Sequence, residues 1–207
     1  MAYFPLFIDL NQKQGLVVGG GPVAARKIRT LLPYGPHLTV CAPSVLPELE
    51  ALPGLTLRRG PFSPALLEDA FFVIAATDDR ELNSRIARLC RERNIPVNVA
   101  DPGTESTFLF PSAVRRGPLT VGISTGGKSP SAAHYLKEQI EMLLPGNLED
   151  ILLWMDSVRE ELKGSALSQP QRSACLSRLF AAALQAGGPL SREETQSLLS
   201  FETEELP

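Results

Sequence analysis

The chain has 207 residues, of which 43% are hydrophobic, and a formal net charge of −3. This composition indicates a packed globular protein, because a disordered chain would combine few apolar residues with a large net charge. A small negative net charge does not favour binding to nucleic acid or to an anionic membrane surface. We therefore expect one large domain, or a medium domain with an appendage, that binds neither.

The N-terminus and the cysteines favour a protein of the reducing cytoplasm. MAYFPLFIDL lacks the basic start of a signal peptide, and the apolar run AFFVIAA (70–76) is too short to cross a bilayer. An odd number of widely separated cysteines does not suggest a disulfide framework. They are Cys41, Cys90 and Cys175. With two histidines and no CxxC or HExxH motif, we expect no structural metal site.

The first 113 residues alternate strand-like and helix-like segments. Helical spacing predicts one helix from Pro22 to Pro33 and another over 78–94. Strands and helices in this alternation predict an α/β fold, a Rossmann-like doubly wound parallel sheet over residues 1–113. Short apolar runs predict its strands at 15–20, 37–43, 55–60, 71–77 and 96–100.

The pattern changes beyond residue 105. Two extended runs, TFLFPSAV and PLTVGIST, are separated by Arg-Arg-Gly with no helix between them. A helix should then begin at the N-cap Ser129, with Pro130 in its first turn, and stop at Pro145-Gly146. We assign residues 114–146 to a small β-α element. Residues 147–207 should form a helical C-terminal domain, with a linker at 164–171.

The first predicted strand ends in GGGPVA, which gives the spacing G-x-G-x-x-A. Gly19 permits a tight turn, Gly21 lets a pyrophosphate approach the backbone, and Ala24 allows close helix–sheet packing. Pro22 and Val23 open the next helix, whose N–H groups and dipole favour phosphate. This turn between a strand and a helix predicts a dinucleotide site.

The second and fourth strands end in other candidate cofactor ligands. The second ends at Pro43 and Ser44, without the acid that usually holds a ribose hydroxyl and without an adjacent arginine for a 2′-phosphate. Backbone groups or Ser44 would hold the ribose, so this motif leaves NAD and NADP open. Thr77 and Asp78 follow the fourth strand and border the same rim, although helix capping is the simpler role for Asp78 and Asp79.

Two familiar dehydrogenase types do not fit. The Tyr-x-x-x-Lys spacing is absent around Tyr135, and neither His37, inside a strand, nor His134, on a helix, suits a catalytic histidine. Since no second acid–base residue is evident, a non-catalytic NAD(H)-binding sensor remains the alternative to an enzyme.

Longer motifs extend along about 145 residues. The chain resembles the precorrin-2 dehydrogenase family, the N-terminal part of siroheme synthases. The shared text is LFIDL (6–10), LVVGGGPVAARKIRTLL (16–32), LTVCAP (38–43), IAATDDRELN (74–83), VNVADP (97–102), FLFPS (108–112) and RGPLTVGISTGGKSP (116–130).

This resemblance implies an NAD-dependent oxidation of precorrin-2 to sirohydrochlorin, a tetrapyrrole. Some members also insert ferrous iron to give siroheme. It further implies a homodimer built on residues 114–146 as a dimerisation element, with the active site near the interface. The family places a general base at the end of the N-V-x-D strand, which here is Asp101.

The substrate that the resemblance implies carries many carboxylates. Arg115, Arg116 and Lys128 could pair with them. The loop STGGKSP, with Ser124 and Thr125, could hold anions through backbone N–H groups. Exposed surface charge is the alternative role for these cations. Thr125 stands where some members carry a phosphorylated serine. We interpret the arginines at 85, 88, 91 and 93 as the exposed face of a helix.

Overall fold

The computed structural model describes residues 3–100 and 105–200, with the exception of the side chain of residue 200. The chain divides into two compact units. One comprises residues 6–110, and the other comprises residues 111 onward together with residues 3–5.

The first unit is built on a five-stranded, fully parallel sheet in the order β3-β2-β1-β4-β5. The central strand β1 pairs with β2 on one side and β4 on the other, so that Val17 lies opposite both Val40 and Ile74. This order confirms the predicted Rossmann-like architecture. The strands are β1 (Gln14–Val18), β2 (His37–Ala42), β3 (Leu55–Arg59), β4 (Phe72–Ala75) and β5 (Val97–Val99).

Two long helices belong to this unit, and apolar side chains line both faces of its sheet. Helix α1 (Pro22–Leu31) packs in one apolar cluster with Phe72 and Ile74, whereas α3 (Arg80–Glu92) packs in another with Val73 and Val97. Neighbouring residues of one strand point to opposite faces. The two clusters therefore bury both sides of β4. The one-turn helix α2 (Pro47–Glu50) follows β2.

The outer edge of β5 is covered by residues 105–110, which run back along it. Thr107 forms two hydrogen bonds with Val97. Its backbone N–H donates to the Val97 carbonyl at 2.8 Å, and its hydroxyl accepts from the Val97 N–H at 2.8 Å. The Ser106 hydroxyl accepts from the Val99 N–H at 2.9 Å. Side-chain hydroxyls thus replace most of a backbone ladder. The sequence had predicted an extended strand over 107–114, but only Ser112–Arg116 pairs as one.

A half-buried lysine ties this edge segment to α1. The Lys27 ammonium donates to the Asn98 side-chain oxygen at 2.6 Å and lies 4.3 Å from the centre of the Phe110 ring. The Asn98 amide in turn donates to the Phe108 carbonyl at 2.9 Å. Burial, and secondarily the charge of Arg26, lowers the pKa of Lys27 from its ordinary 10.5 to about 8. The Lys27 ammonium is thus stabilised by the Asn98 side chain and the Phe110 ring within an otherwise apolar layer.

The second unit opens with an antiparallel hairpin and continues as helices. Strands β6 (Ser112–Arg116) and β7 (Leu119–Ile123) pair with Val114 opposite Val121. Helix α4 (Pro130–Leu143) begins at the N-cap Ser129, whose hydroxyl accepts from the Ala132 N–H at 3.1 Å. The predicted start at Ser129 and stop before Pro145 are confirmed.

Three further helices form the rest of this unit: α5 (Leu148–Lys163), α6 (Gln169–Ala186) and α7 (Arg192–Ser200). Val158, Leu162, Cys175 and Leu179 form their buried core. The predicted linker at 164–171 is too long by three residues, because Ser168 caps α6 through a capping box with Gln171 and starts the helix at Gln169.

The three cysteine side chains are buried. Burial raises the pKa of Cys90 to about 11, so this thiol stays protonated. Within the part of the chain that the structure describes, no helix has the length and apolar character needed to span a membrane.

The lowered pKa of Lys27 predicts a pH dependence of stability. Folded Lys27 loses its proton near pH 8, whereas the unfolded lysine keeps it up to about 10.5, so the unfolded state binds more protons between these values. The free energy of unfolding of the wild type should therefore rise relative to that of Lys27→Met from pH 8 to 10.5. This gain in the free energy of unfolding is fully present above about pH 10.5 and is lost as the pH falls through about 8.

Urea unfolding at pH 7, 8.5 and 10 measures the difference. Lys27→Arg serves as the control, since an arginine stays charged across this window and should show no such rise. If the free energy of unfolding of the wild type differed from that of each variant by the same amount at all three pH values, the lowered pKa of Lys27 would be contradicted.

Candidate functional site

The candidate site lies at the edge of the first unit's sheet where the parallel strands end. The backbone ladder continues to this edge: the Gly19 N–H donates to the Cys41 carbonyl at 2.9 Å, and the Ala76 N–H donates to the Val18 carbonyl at 2.8 Å. The chain therefore leaves β1, β2 and β4 at the same level. Ligands of open α/β sheets bind beyond these carboxyl ends.

Gly19 makes the turn that leads from β1 into α1. Its φ is +122°, a conformation that other residues rarely adopt. A Cβ added there would lie 2.1 Å from the Ala76 carbonyl oxygen. A side chain at position 19 would therefore push β1 and β4 apart at the rim, and only glycine fits both the backbone angle and the space.

Gly21 is the N-cap of α1 and faces open space. No atom lies within 4 Å of the position a Cβ would take there, and no side chain caps the helix. The first turn contains Pro22 and carries no acidic residue. The N–H groups of this turn and the positive end of the helix dipole therefore face outward, a combination that suits a pyrophosphate. Val23 is 39% exposed and Ala24 is fully buried against the sheet.

The end of β2 approaches the glycine turn from the other side. A Cβ on Gly20 would lie 2.3 Å from the Ser44 carbonyl oxygen, and the Leu46 N–H donates to the Gly20 carbonyl at 3.0 Å. Pro43 and Ser44 are exposed beside this contact. The Ser44 hydroxyl and nearby backbone groups are thus the polar atoms available here for a ribose, with no carboxylate at the end of the strand.

The end of β4 is fixed by a buried amide. The Asn83 side chain is fully buried; its amide donates to the Thr77 carbonyl at 3.0 Å, and its oxygen accepts from the Thr77 hydroxyl at 2.8 Å. Asp79 is the N-cap of α3 and accepts from the Leu82 N–H at 3.0 Å, which confirms the capping role for this aspartate. Asp78 is exposed at the same turn.

Sequence reasoning missed Asn83 and the pair of Lys27 and Asn98. A signal was present, because Asn83 falls on the same helical face as Ile86 and Cys90, and Asn98 lies at the middle of an apolar strand. A polar residue at a buried position must find hydrogen-bond partners. Its partners could not be read from periodicity, since Thr77 and Phe108 lie in turns and irregular segments.

The predicted general base, Asp101, lies outside the described residues. The residues on either side are described: the Ala100 N–H donates to the Ala75 carbonyl at 2.8 Å, which extends the pairing of β5 with β4 to the residue before it. On the other side, Glu105 accepts from the Ser84 hydroxyl at 3.0 Å through its carboxylate.

The predicted anion-binding loop belongs to the second unit. Gly126 and Gly127 adopt positive φ angles of 63° and 80° and are exposed. The Thr125 hydroxyl is committed to the loop itself, because it accepts from the Ser129 N–H at 3.1 Å and donates to the Ser129 carbonyl. Ser124 accepts from the Gly126 N–H at 3.2 Å. Lys128 is exposed, as is Arg115 on β6.

Comparison with known proteins agrees with this geometry. Residues 6–112 match a family model described as putative NAD(P)-binding, and residues 116–143 match one described as sirohaem biosynthesis protein central. A siroheme synthase of Tolumonas auensis is 44% identical over 167 residues, which are 78% of this chain and 36% of that protein. A siroheme synthase of Sodalis glossinidius is 38% identical over 201 residues, or 94% and 42% of the two chains.

The chain thus spans well under half the length of these curated relatives. Among solved structures, SirC, a precorrin-2 dehydrogenase, superposes with a TM-score of 0.75 over 98% of this chain and 100% of its own, at 24% identity. This likeness confirms the fold. Across residues 3–100 and 105–200, no group of three or more histidine, cysteine, aspartate or glutamate side chains is placed to hold a metal ion.

Two glycine substitutions separate folding from cofactor binding. Gly21→Ala should leave the melting temperature almost unchanged, because its φ of −88° suits alanine and the Cβ meets no atom. It should weaken NAD binding roughly tenfold or more, since the methyl group occupies the space where a pyrophosphate approaches the backbone. Isothermal titration with NAD and thermal unfolding measure the two effects.

Gly19→Ala is the matched variant and should lose stability, by about 2 kcal/mol or more, from strain at a positive φ and a clash with backbone. Unaltered NAD affinity in Gly21→Ala would place the cofactor elsewhere.

Proposed function

This chain belongs to the putative NAD(P)-binding family, and we propose that it is an NAD-dependent dehydrogenase that oxidises precorrin-2 to sirohydrochlorin. The observation that carries the proposal is the outward-facing N-terminus of α1, with Gly21 open and no side-chain cap. The specific substrate is supported by siroheme synthase relatives that align with up to 94% of the chain.

We propose that the rim of the first unit holds NAD. Backbone N–H groups of the turn at Gly19 and Gly21 and the start of α1, with Pro22, Val23 and Ala24, would bind the pyrophosphate. The ribose would lie by Pro43 and Ser44, and Thr77 and Asp78 would border the nicotinamide side. When bound, NAD supplies the acceptor for the hydride that leaves the substrate carbon.

The chain's own chemical task is then to take up a proton. Loss of a hydride from the reduced macrocycle must be accompanied by loss of a proton, so that one NAD is reduced and one proton released per turnover. We assign the proton to Asp101, which directly follows Ala100 in the sequence, the residue whose N–H donates to the Ala75 carbonyl.

Further assignments extend this proposal to the second unit. Arg115 and Lys128, with the loop at Ser124 and Thr125, would bind carboxylates of the tetrapyrrole. The three-part division into residues 1–113, 114–146 and 147–207 is part of the same proposal. For iron insertion, ferrous iron would be a substrate, and Asp101 would take the pyrrole protons that it displaces.

The first test follows the absorption spectrum of sirohydrochlorin after mixing the purified chain with precorrin-2 and NAD. Turnover is expected for the wild type, and Asp101→Ala should lower kcat by roughly 10²- to 10⁴-fold, as the loss of a general base does. If Asp101 also serves iron insertion, the variant should lose siroheme formation from sirohydrochlorin and ferrous iron without NAD.

Two outcomes would redirect the assignment. NAD binding without oxidation of the tetrapyrrole would favour a non-catalytic sensor, the competing class. Near-normal activity of Asp101→Ala, with the wild type active, would keep the enzyme but remove this residue from the chemistry.

The exposed face of α4 supports a homodimer. Four large apolar side chains lie within one arc of this helix, at positions spaced by one and seven residues. They are Tyr135, Leu136, Met142 and Leu143, exposed by 59%, 46%, 70% and 80%. The helix lies within the segment that matches the sirohaem biosynthesis central model. A second copy of the same face would bury this apolar surface, which a monomer leaves in water.

Light scattering coupled to size-exclusion chromatography tests the dimer. The wild type should elute with twice its chain mass of 22.4 kDa, and Leu143→Glu should shift the population toward the single-chain mass by placing a charge within the buried face. Leu184→Glu on α6, where a leucine is 38% exposed, is the matched control and should stay dimeric. A single-chain mass for the wild type would exclude this assembly.

A further inference from the structure

A cationic groove runs along the exposed side of α3, on the first unit. Its volume is about 510 Å³, within the range of small-molecule sites. Arginines dominate its lining, which consists of Arg80, Glu81, Ser84, Arg85, Arg88, Arg91 and Glu105. From Arg80 to Arg91 the row extends about 16 Å along the helix, at 1.5 Å per residue.

The lining of the groove carries more positive than negative side chains. Four arginines face two glutamates, in a protein whose net charge is −3. Among the side chains that the structure describes, Arg85 and Arg88 take part in no ion pair. Arg91 is held at one end, because its guanidinium donates to the Glu105 carbonyl at 2.6 Å.

The fold of α3 does not account for these cations. The helix is held by its buried side, which includes Ile86, Ala87 and Cys90, and by the N-cap Asp79. The excess of arginines over glutamates along this groove suits a ligand of negative charge.

The lining restricts the class of that ligand. Within the described lining there is no aromatic side chain on which a base could stack, and no large apolar one. Guanidinium forks match carboxylates in planar, two-point contacts. The groove begins at the carboxyl edge of the sheet, since α3 starts directly after β4. The geometry points to a small polycarboxylate bound with one end at the rim.

We propose that the α3 groove binds peripheral carboxylates of the tetrapyrrole, as a carboxylate-binding region on the first unit. This inference rests on the proposed function for the identity of the ligand. Arg85 and Arg88 are its main contacts, because they are free to turn toward an anion. They would contribute to binding and not to the chemical step, since they touch no reacting atom.

The test compares wild type with the double variant R85Q/R88Q, which removes two charges and keeps polar side chains. The KM for precorrin-2 should rise roughly 5- to 25-fold, with kcat and NAD affinity unchanged, since each exposed ion pair is worth up to about a factor of five. The wild-type KM should also rise more steeply with salt than that of the variant. R159Q, an exposed arginine on α5, is the control and should behave as wild type.

Three results would overturn the groove proposal: an unchanged KM, an equal rise for R159Q, or a loss confined to NAD affinity. Thermal unfolding of the double variant excludes a folding defect as the cause. If the wild type does not oxidise precorrin-2 at all, the proposed function fails. In that case, equilibrium titration of wild type and R85Q/R88Q with sirohydrochlorin still decides whether the groove binds a polycarboxylate.

Discussion

The close approach of the β1–α1 turn to the end of β4 is the constraint on which the candidate site depends. The two strands are hydrogen-bonded up to the Ala76 N–H, and the chain must turn into α1 immediately beyond them. Gly19 makes this possible with a positive φ and no side chain over the Ala76 carbonyl. The position of α1 follows from that contact, and so does the direction in which its N-terminal N–H groups point. The backbone at Gly19 thus determines where the N–H groups of α1 point, and no side chain caps this end of the helix.

Buried amides perform the corresponding task where the backbone ladder stops. Asn83 holds both the carbonyl and the hydroxyl of Thr77, and so fixes the turn from β4 into α3. Asn98 connects Lys27 to the segment that covers β5. An unsatisfied polar group in these layers would cost about 1 to 3 kcal/mol, so each network is stable only when complete. The rim is therefore supported from below by hydrogen-bonded amides that are themselves buried.

The strands, long helices and glycine turn were predictable because each has a local cause. Apolar runs mark buried parallel strands, and Ser129 with Pro130 marks a helix start through hydrogen bonding and a fixed φ. The segment 107–111 could not be predicted in the same way. The hydroxyls of Thr107 and of the preceding Ser106 pair with β5 in place of a backbone ladder, and that pairing depends on Val97 and Val99, seven to ten residues away. The α6 start at Gln169 was missed because Ser168 and Gln171 cap each other within apparent linker sequence.

The candidate site residues were predictable to different degrees for the same reason. Gly19 is required by local backbone geometry, and both Gly19 and Gly21 could be named from spacing alone. The arginines of α3 were placed correctly on an exposed helix face, but periodicity does not show what lies beside that face. Only the return of the chain at Glu105, joined to Ser84 and Arg91, turns the face into a groove. Contacts between segments distant in sequence supply this information.

In the proposed assignment, recognition of the two ligands depends on different kinds of charge. The glycine turn offers the partial charges of backbone N–H groups, which are fixed in place and match a pyrophosphate without a full cation. A ligand with carboxylates spread around its edge needs donors that are further apart and able to adjust. Arg85 and Arg88 of α3 would meet that need, because neither takes part in an ion pair among the described side chains and each can turn toward an anion. The separation of backbone and side-chain recognition is therefore a consequence of the shapes of the two anions.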